Sequence, residues 1–396
     1  MIYFDNGATT FPKPPSVIRA VNAAMQRYGA NPGRSGHTMS LRASEVIYDC
    51  RRNAARLFGA ESPENIIFTD SCTTALNIVL HGLLRRGDHV VISSLEHNAV
   101  ARPLAYLQKT RGISYSVAEV AENDDERTLQ NFRRAINGNT ALVVCTAASN
   151  VFGVRLPVAR IAALCRIYQI PFCLDAAQGA GVLPLSVTDM GIDFLCAAGH
   201  KGLYGPMGTG ILVINSQTLP APLTQGGTGS LSLSLDQPEA LPDKYESGTP
   251  NLIGIAGLNE GIKFVLARGE EKILHAETRL AQRLYDGLSR IPGVKLYTAR
   301  PEEPTHVPVI SFNIMGYDSE EVAALLDSRF AVAVRAGLHC APLAHKAYGT
   351  EQNGTVRAVL SVYTNPAQID HLIMSVRKIQ KLLSKKVAIG NKNVLK

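Results

Sequence analysis

Short β-branched runs alternate with amphipathic helical segments between residues 65 and 215, and this alternation is the feature that most constrains the fold. A repeated strand, helix, strand order favours parallel pairing with helices covering the sheet. In segments such as "VARIAALCRIYQ", the apolar residues recur at the spacing of one face of a helix. We therefore predict an α/β large domain with a mainly parallel seven-stranded sheet. The predicted strands lie in "NIIFTD", "HVVISS", "ISYSVAEV", "ALVVCTAAS", "PFCLDAA", "FLCAAG" and "GILVIN".

The sequence after these strands indicates a long loop and a second domain, which suits a chain of 396 residues. Residues 226–251 are rich in Gly, Pro and Ser, which is typical of a functional loop. Strand and helix patterns follow in "VKLYT", "VPVISFNI", "SEEVAALLDSRF", "VAVRAG" and "VRAVLSVY". We predict an N-terminal segment (1–30) that packs on the small domain and the cleft, a large domain (31–260), and a small α+β domain (261–383).

The net charge of +7 is confined to the C-terminus, because residues 377–396 contain seven basic and no acidic residues. The rest of the chain carries 33 basic and 33 acidic residues. This pattern favours a frayed basic tail (384–396) over a nucleic-acid-binding arm. The chain start lacks a signal-peptide pattern, and no apolar run reaches the ~20 residues of a membrane helix. We expect a soluble cytoplasmic protein without a membrane partner.

The seven cysteines form no CxxC pair and no cluster with zinc-ligand spacing. This indicates a reducing cytoplasm and predicts no metal site. Six of the cysteines lie in predicted strands, helices or the turn before a helix. Cys340, in "RAGLHCAPL", lies outside these predicted elements. Because a free cysteine is commonly buried, Cys340 taken alone is either a core thiol or a nucleophile.

Three motifs of the large domain indicate chemistry. In "TDSCTTALNIVLHGLL", hydroxyl side chains precede a helix, so the helix start either binds a phosphate or is only capped. In "CLDAAQGAG", Asp175 ends a strand, where it either binds a cationic ring nitrogen or caps a helix. In "AAGHKGLYGPMGTG", Lys201 lies in a glycine-rich turn, and partial desolvation would make it a Schiff-base former.

A phosphate cradle, an acid and then a lysine is the order expected of a pyridoxal-phosphate (PLP) enzyme. Five further motifs support this order, namely "EHNA", "SNVFG", "SGTPN", "RAGLHCAP" and "VRAVLSVYTN", together with the "DAAQ" and "GHKGLYGP" parts of the motifs above. With them, the chain resembles fold-type I PLP enzymes of the class V aminotransferase group. It is most similar to the cysteine desulfurase and selenocysteine lyase family, in the branch with a short cysteine loop. The resemblance extends from "YFDNGATT" to about residue 383.

The resemblance implies roles for the cofactor-binding residues. Lys201 would bind PLP and move protons at the substrate Cα. Asp175 would pair with the pyridinium nitrogen, Gln178 would bind the phenolic oxygen, and His97 would stack on the ring, although His97 can also be read as a helix-start residue. The implied phosphate ligands are Thr73, the backbone at Cys72, His200, and Thr249 from the neighbouring subunit, which implies a homodimer with shared sites.

The resemblance also implies the substrate site. Arg357 would bind the α-carboxylate, since its planar fork offers two parallel donors. Asn150 would position the amino acid, Arg335 would lie in the cysteine loop, and Arg34 would lie at the cleft entrance. A surface salt bridge remains an alternative for Arg335 and Arg34.

The implied activity is that of a cysteine desulfurase, which converts L-cysteine to L-alanine and leaves a persulfide on Cys340. Only a thiolate is nucleophilic enough for this step, so Arg335 and His339 are expected to stabilise it. The sulfur would pass to an acceptor protein, for example in iron-sulfur cluster assembly.

Other functions remain open at this level. A selenocysteine lyase acting on L-selenocysteine and a class V aminotransferase or β-lyase that does not use Cys340 have the same PLP motifs. A non-enzymatic PLP-fold protein that binds nucleic acid through its basic tail is a third alternative. Two departures from the family pattern affect the phosphate cradle. Ala198 stands where a serine is frequent, and Cys72 replaces a frequent threonine.

Overall fold

The computed structural model describes residues 1–33 and 36–394, with side chains described through residue 383. The chain divides into two compact units. Unit 1 comprises Met1–Phe11, Ser149–Arg155 and Ile273–Lys396, and unit 2 comprises Pro12–Ala148 and Leu156–Lys272. This division differs from the ranges expected from the sequence at residues 12–30, 149–155 and 261–272. Part of the reason is that helix Pro15–Arg27 packs along helix Leu252–Arg268 within unit 2.

The secondary structure is numbered in chain order. The strands are β1 Ile2–Tyr3, β2 Ile66–Thr69, β3 His89–Ser93, β4 Ser114–Ala118, β5 Thr140–Thr146, β6 Phe172–Asp175, β7 Phe194–Ala198, β8 Gly210–Ile214, β9 Val294–Leu296, β10 Val309–Ile314, β11 Val332–Ala333 and β12 Val356–Val359. The helices are α1 Pro15–Arg27, α2 Thr38–Phe58, α3 Cys72–Leu83, α4 Asn98–Arg111, α5 Asp125–Ala135, α6 Val158–Tyr168, α7 Val187–Met190, α8 Leu252–Arg268, α9 Glu270–Ser289, α10 Ser319–Phe330, α11 Pro342–Ala347 and α12 Pro366–Val394.

Unit 2 contains a seven-stranded sheet in the order β2-β8-β7-β6-β5-β3-β4. Strand β8 is antiparallel to β2 and β7, and the other neighbours are parallel. Strands β3, β6, β7 and β8 are buried along their whole length, as expected for a sheet covered on both faces. The predicted α/β fold with a mainly parallel seven-stranded sheet is confirmed.

The directions of the strands place the carboxyl ends of several strands together. Strands β3, β5, β6 and β7 are mutually parallel, and β2 points the same way because both β2 and β7 run antiparallel to β8. Their carboxyl ends therefore share one edge of the sheet. In α/β proteins this edge is where ligands bind.

The segment 215–251, all of it described, contains no α-helix or β-strand. One end of it is held by a partly buried ion pair between Arg51 of α2 and Glu246. Arg51 also donates to the carbonyl oxygen of Ile66, and a Glu246 carboxylate oxygen accepts the amide N–H of Phe68 at 2.6 Å. These bonds fix Glu246 against β2, shortly before Thr249 in the chain.

Unit 1 is an α+β unit built on an antiparallel sheet in the order β12-β10-β9 and a parallel pair, β1 with β11. Its core joins the inner faces of these strands to the apolar faces of α9, α10 and α12. Phe4, Phe312, Leu284, Leu326 and Ile369 are all fully buried in this core. Helix α12 extends to Val394 and so includes residues that the sequence assigns to the basic tail.

Within the described residues, no helix has both the length and the apolar composition needed to cross a membrane.

Candidate active site

The predicted cofactor-binding residues of unit 2 follow strand ends at one sheet edge. Strand β6 ends at Asp175, β7 ends shortly before Lys201, and β3 ends shortly before His97. Strand β2 leads into α3, which begins at Cys72. The parallel directions of these strands bring together residues that are far apart in sequence.

Asp175 is a buried carboxylate with defined partners. One of its oxygens, Oδ1, accepts the amide N–H of Ala177 at 2.9 Å and the thiol of Cys72 at 3.4 Å. Burial, followed by the negative charge of Asp175, raises the pKa of the Cys72 thiol well above its ordinary value. Cys72 therefore remains a neutral donor to the carboxylate. The sequence did not indicate this contact.

The start of α3 offers amide N–H groups that have no partner inside the helix. Ser71 caps the helix by accepting the amide N–H of Thr74 at 3.2 Å, and the Thr73 side chain is exposed. A helix start with a neighbouring hydroxyl suits a phosphate. The side chain of Cys72 points to Asp175, so only its backbone is available for the phosphate contact predicted there.

Lys201 is half-buried in the turn after β7, and its carbonyl oxygen accepts the amide N–H of Tyr204 at 2.8 Å. Gly202 packs tightly against the turn that follows β6, because a Cβ on Gly202 would lie 2.3 Å from the carbonyl oxygen of Ala180. Any side chain at position 202 would push the lysine turn away from the turn that carries Gln178.

A second lysine reaches the same turn, since Lys13 donates from Nζ to the carbonyl oxygen of His200 at 2.8 Å. Burial lowers the pKa of Lys13 to about 8. Burial, together with the charges of Lys201 and Lys13, lowers the pKa of His200 to about 4. His200 is therefore neutral at physiological pH and can offer a hydrogen bond, but no charge, to a phosphate.

His97 is the N-cap residue of α4, where its Nδ1 accepts the amide N–H of Ala99 at 3.0 Å. This interaction assigns the proton of the neutral ring to Nε2. The helix-start reading of His97 is confirmed, while ring stacking stays a prediction.

The residue before it, Glu96, is a buried carboxyl group that the sequence analysis missed, although it lies within the quoted motif "EHNA". Its Oε1 accepts the amide N–H of Thr146 at 2.8 Å and the hydroxyl of Ser93. Its Oε2 is buried without a hydrogen-bond partner among the described residues. Burial raises the pKa of Glu96 to about 8, so the carboxyl group is mostly protonated at neutral pH.

These residues of unit 2 fit PLP. A fixed carboxylate suits the ring nitrogen, an amine in a tight turn suits the aldehyde carbon, and a capped helix start suits the phosphate. Thr249 is exposed in the segment 215–251. Arg34 lies outside the described residues.

Arg357, on β12, is almost completely buried in unit 1. Its Nη1 donates to the carbonyl oxygen of Asn150 at 2.7 Å, and its Nη2 donates to Oδ1 of Asp5 at 3.0 Å. Its Nε is buried without a partner among the described residues. Gly7 leaves room for the guanidinium, because a Cβ at this position would lie 3.2 Å from Cζ of Arg357. Asp5 was not recognised from the sequence as its ion-pair partner.

Cys340 is exposed, and the other six cysteines are buried. These six lie in α2, α3, β5, α6, β6 and β7, which confirms their predicted positions in structural elements. The Sγ of Cys340 lies 3.9 Å from Nη2 of Arg335. The backbone is left-handed at both His339 (φ +47°) and Cys340 (φ +57°). Such conformations cost about 1 to 3 kcal/mol for each non-glycine residue, so neighbouring bonds must maintain them.

The expectation that His339 helps to stabilise the Cys340 thiolate is wrong, because its ring donates to Thr355 and carries no charge. His339 is buried and hydrogen-bonds through Nε2 to the carbonyl oxygen of Thr355 at 2.9 Å. Burial, followed by the charge of Arg357, lowers the pKa of His339 to about 2. Arg335 is the cation beside the thiol. Asn150 donates from Nδ2 to the carbonyl oxygen of His339 at 2.8 Å, and its substrate contact stays a prediction.

Comparison with known proteins places this site in a family. The aminotransferase class V family model matches residues 2–372, which defines the class of protein. A probable cysteine desulfurase from Pyrococcus abyssi is 34% identical, over 97% of this chain and 95% of that protein. One from Methanothermobacter thermautotrophicus is 33% identical, over 96% of this chain and 94% of that protein. A longer relative from Mycolicibacterium paratuberculosis is also 33% identical, and the chain spans 55% of its length.

Comparison with solved structures indicates the same family. The apo structure of a cysteine desulfurase from Thermococcus onnurineus has a TM-score of 0.87 at 32% identity, covering 96% of this chain and 94% of that chain. The cysteine desulfurase CsdA (S-sulfonic acid) from Escherichia coli has a TM-score of 0.86 at 26% identity, with the same coverage. The chain therefore belongs to the cysteine desulfurase family of class V aminotransferases.

The buried Glu96 predicts a pH-dependent stability difference. Its pKa in the folded protein, about 8, exceeds its ordinary value of 4.5. The stabilisation from the bound proton is complete below pH 4.5 and is lost as the pH rises towards 8. Because Glu96→Gln cannot titrate, its free energy of unfolding relative to wild type should increase across this window, by at most about 1.4 kcal/mol per pH unit. Urea unfolding of the two holoproteins at several pH values measures this difference in the free energy of unfolding. A difference that is constant with pH would contradict the assignment.

Proposed function

We propose that this protein is a PLP-dependent cysteine desulfurase that takes sulfur from L-cysteine, releases L-alanine and carries the sulfur as a persulfide on Cys340. The observation that carries the proposal is the exposed Cys340 thiol beside the Arg335 guanidinium, in the unit that also holds Arg357. The names of the relatives support the same activity.

Unit 2 would bind the cofactor. Lys201 would hold PLP covalently, Asp175 would pair with the ring nitrogen, Gln178 would bind the phenolic oxygen, and His97 would lie against the ring. The proposed phosphate ligands are Thr73, the amide of Cys72, and His200. When bound, PLP supplies an electron sink for negative charge that develops at the substrate Cα. The neutral Cys72 thiol donates to Oδ1 of Asp175 at 3.4 Å and so helps to fix the direction of this carboxylate.

Unit 1 would bind the amino acid. Arg357 would take the α-carboxylate through its guanidinium, whose orientation is fixed by Asp5 and by the carbonyl oxygen of Asn150. A bidentate pair of this kind gives both charge and direction. The Asn150 side chain and Arg335 would make further substrate contacts, with Arg34 proposed at the entrance.

Lys201 and Cys340 would carry the two bond-changing steps. The Lys201 amine accepts the substrate's Cα proton. The Cys340 thiolate attacks the substrate sulfur, forming a sulfur–sulfur bond as the Cβ–sulfur bond breaks with its electron pair moving to carbon. Protonation of the carbon product gives alanine. Only the thiolate is nucleophilic, and the Arg335 guanidinium is the cation beside Sγ that can pair with it.

The chain's own cysteine tests this assignment. In Cys340→Ala, the purified protein should keep its absorbance near ~420 nm, which is typical of a lysine-bound PLP, and should lose alanine formation by at least about 10³-fold. In Lys201→Ala the absorbance band should disappear. An aminotransferase or a lyase that does not need Cys340 would instead convert its substrate equally well in Cys340→Ala. L-selenocysteine, measured in parallel, shows which of the two amino acids the enzyme prefers.

We also propose a cytoplasmic homodimer in which Thr249 reaches the phosphate of the neighbouring subunit and an acceptor protein takes the sulfur from Cys340. The free thiols support the compartment. The segment that carries Thr249 also carries the almost fully exposed side chains of Leu233 and Leu235. Adjacent apolar side chains of this kind are typical of a surface that a second chain covers.

The proposed dimer can be tested separately from the role of Cys340. The double variant Leu233→Ser, Leu235→Ser should shift the sedimentation of the holoenzyme from dimer towards monomer, because it removes apolar contacts proposed at the interface. Ile167→Ser, on α6, is the control, since its side chain is also exposed but lies far along the chain from the loop. A wild-type protein that sediments as a monomer would refute the shared site.

A further inference from the structure

His339 directly precedes Cys340, and its bonds are those of a structural anchor. Its imidazole Nε2 lies 2.9 Å from the carbonyl oxygen of Thr355, and its own carbonyl oxygen accepts the Nδ2–H of Asn150 at 2.8 Å. One residue is therefore held from both its side chain and its backbone. Cys340, the next residue, has an exposed side chain.

The bond to Thr355 assigns the protonation state of the ring. A carbonyl oxygen only accepts, so Nε2 must carry the proton. Nδ1 is buried without a partner among the described residues, so a second proton there would be an unsolvated charge. Arg335 and Arg357 are the cations that act on His339, and the neighbouring ring of His345 is stacked on it with centroids 5.8 Å apart. These surroundings keep the imidazole neutral.

The backbone around Cys340 needs such an anchor. His339 and Cys340 are both left-handed, a conformation that side-chain-bearing residues rarely adopt. The loop is also pressed against the residues before β12, because a Cβ on Gly354 would lie 2.6 Å from the backbone of Gly337. The amide N–H of Thr355 donates to the carbonyl oxygen of Gly337 at 3.1 Å. Thr355 thus binds the loop twice, once through Gly337 and once through His339.

We propose that His339 is a positioning residue whose neutral imidazole anchors the cysteine loop to Thr355, so that the Cys340 thiol stays beside the Arg335 guanidinium, and that it takes no part in proton transfer. The proposal rests on the proposed function for the role of Cys340 as nucleophile. The alternative role, a general acid or base beside the thiol, needs a nitrogen that titrates near neutral pH.

Two substitutions separate these roles. In His339→Gln, the side-chain amide can donate to the same carbonyl oxygen but cannot act as an acid or base. In His339→Ala, the anchor is lost. We expect His339→Gln to keep the wild-type pH profile and a kcat within about threefold, and His339→Ala to lose about 10²-fold in kcat with KM unchanged, since misplacing a reacting group by about 1 Å has an effect of this size.

Hydrogen exchange of the holoenzyme gives a readout that does not depend on turnover. In His339→Ala, the amides of Ala341 and Thr355, which donate to Leu338 and Gly337, should exchange at least about tenfold faster. In His339→Gln they should exchange as in wild type. His371→Ala is the matched control, because it removes another histidine of the same unit whose Nε2 lies 3.0 Å from a carbonyl oxygen, that of Phe330, without touching the cysteine loop.

Three outcomes would contradict the anchoring role of His339. They are a His339→Gln variant as impaired as His339→Ala, a His339→Ala variant with wild-type kcat and exchange, and a His371→Ala variant that matches His339→Ala. If the wild type forms no persulfide but the exchange pattern holds, the proposed function fails while the anchoring role of His339 is supported.

Discussion

The shared direction of strands β2, β3, β5, β6 and β7 is the constraint on which the proposed cofactor site depends. Each strand ends at the same sheet edge, and the residues proposed to bind PLP follow the ends of β2, β3, β6 and β7. Neither Asp175 nor Lys201 is distinctive alone. Their placement follows from hydrogen bonding between strands, and a buried sheet leaves little freedom to shift that register.

Unit 1 combines one exposed reactive group with several groups that are kept neutral or paired. Cys340 is exposed next to Arg335, whereas Arg357 is buried with Asp5 and His339 is buried and neutral. Unit 2 also contains titratable groups that are kept neutral, since Glu96 and His200 are mostly uncharged at pH 7. Burial favours the neutral forms of Glu96, His200 and His339, whereas the ion pair with Asp5 opposes this effect at Arg357.

Much of the fold could be predicted because its signals are local. Seven strand patterns, the helices between them and the glycine-rich turn around Lys201 each depend on a few consecutive residues. The contacts that were missed are not local. Cys72 and Asp175 are 103 residues apart, and Asp5 and Arg357 are 352 residues apart. The role of His339 was predicted wrongly because its position beside Cys340 in the sequence says nothing about the direction of its ring, which points to Thr355.

The proposed function depends on the transfer of sulfur from a free amino acid to Cys340. The direct measurement is the mass of the Cys340 peptide after the holoenzyme is incubated with L-cysteine without a reductant. We expect a gain of one sulfur atom on this peptide, reversed by a thiol reductant, with one alanine formed for each sulfur transferred. Alanine release with no change in the mass of the Cys340 peptide would contradict it.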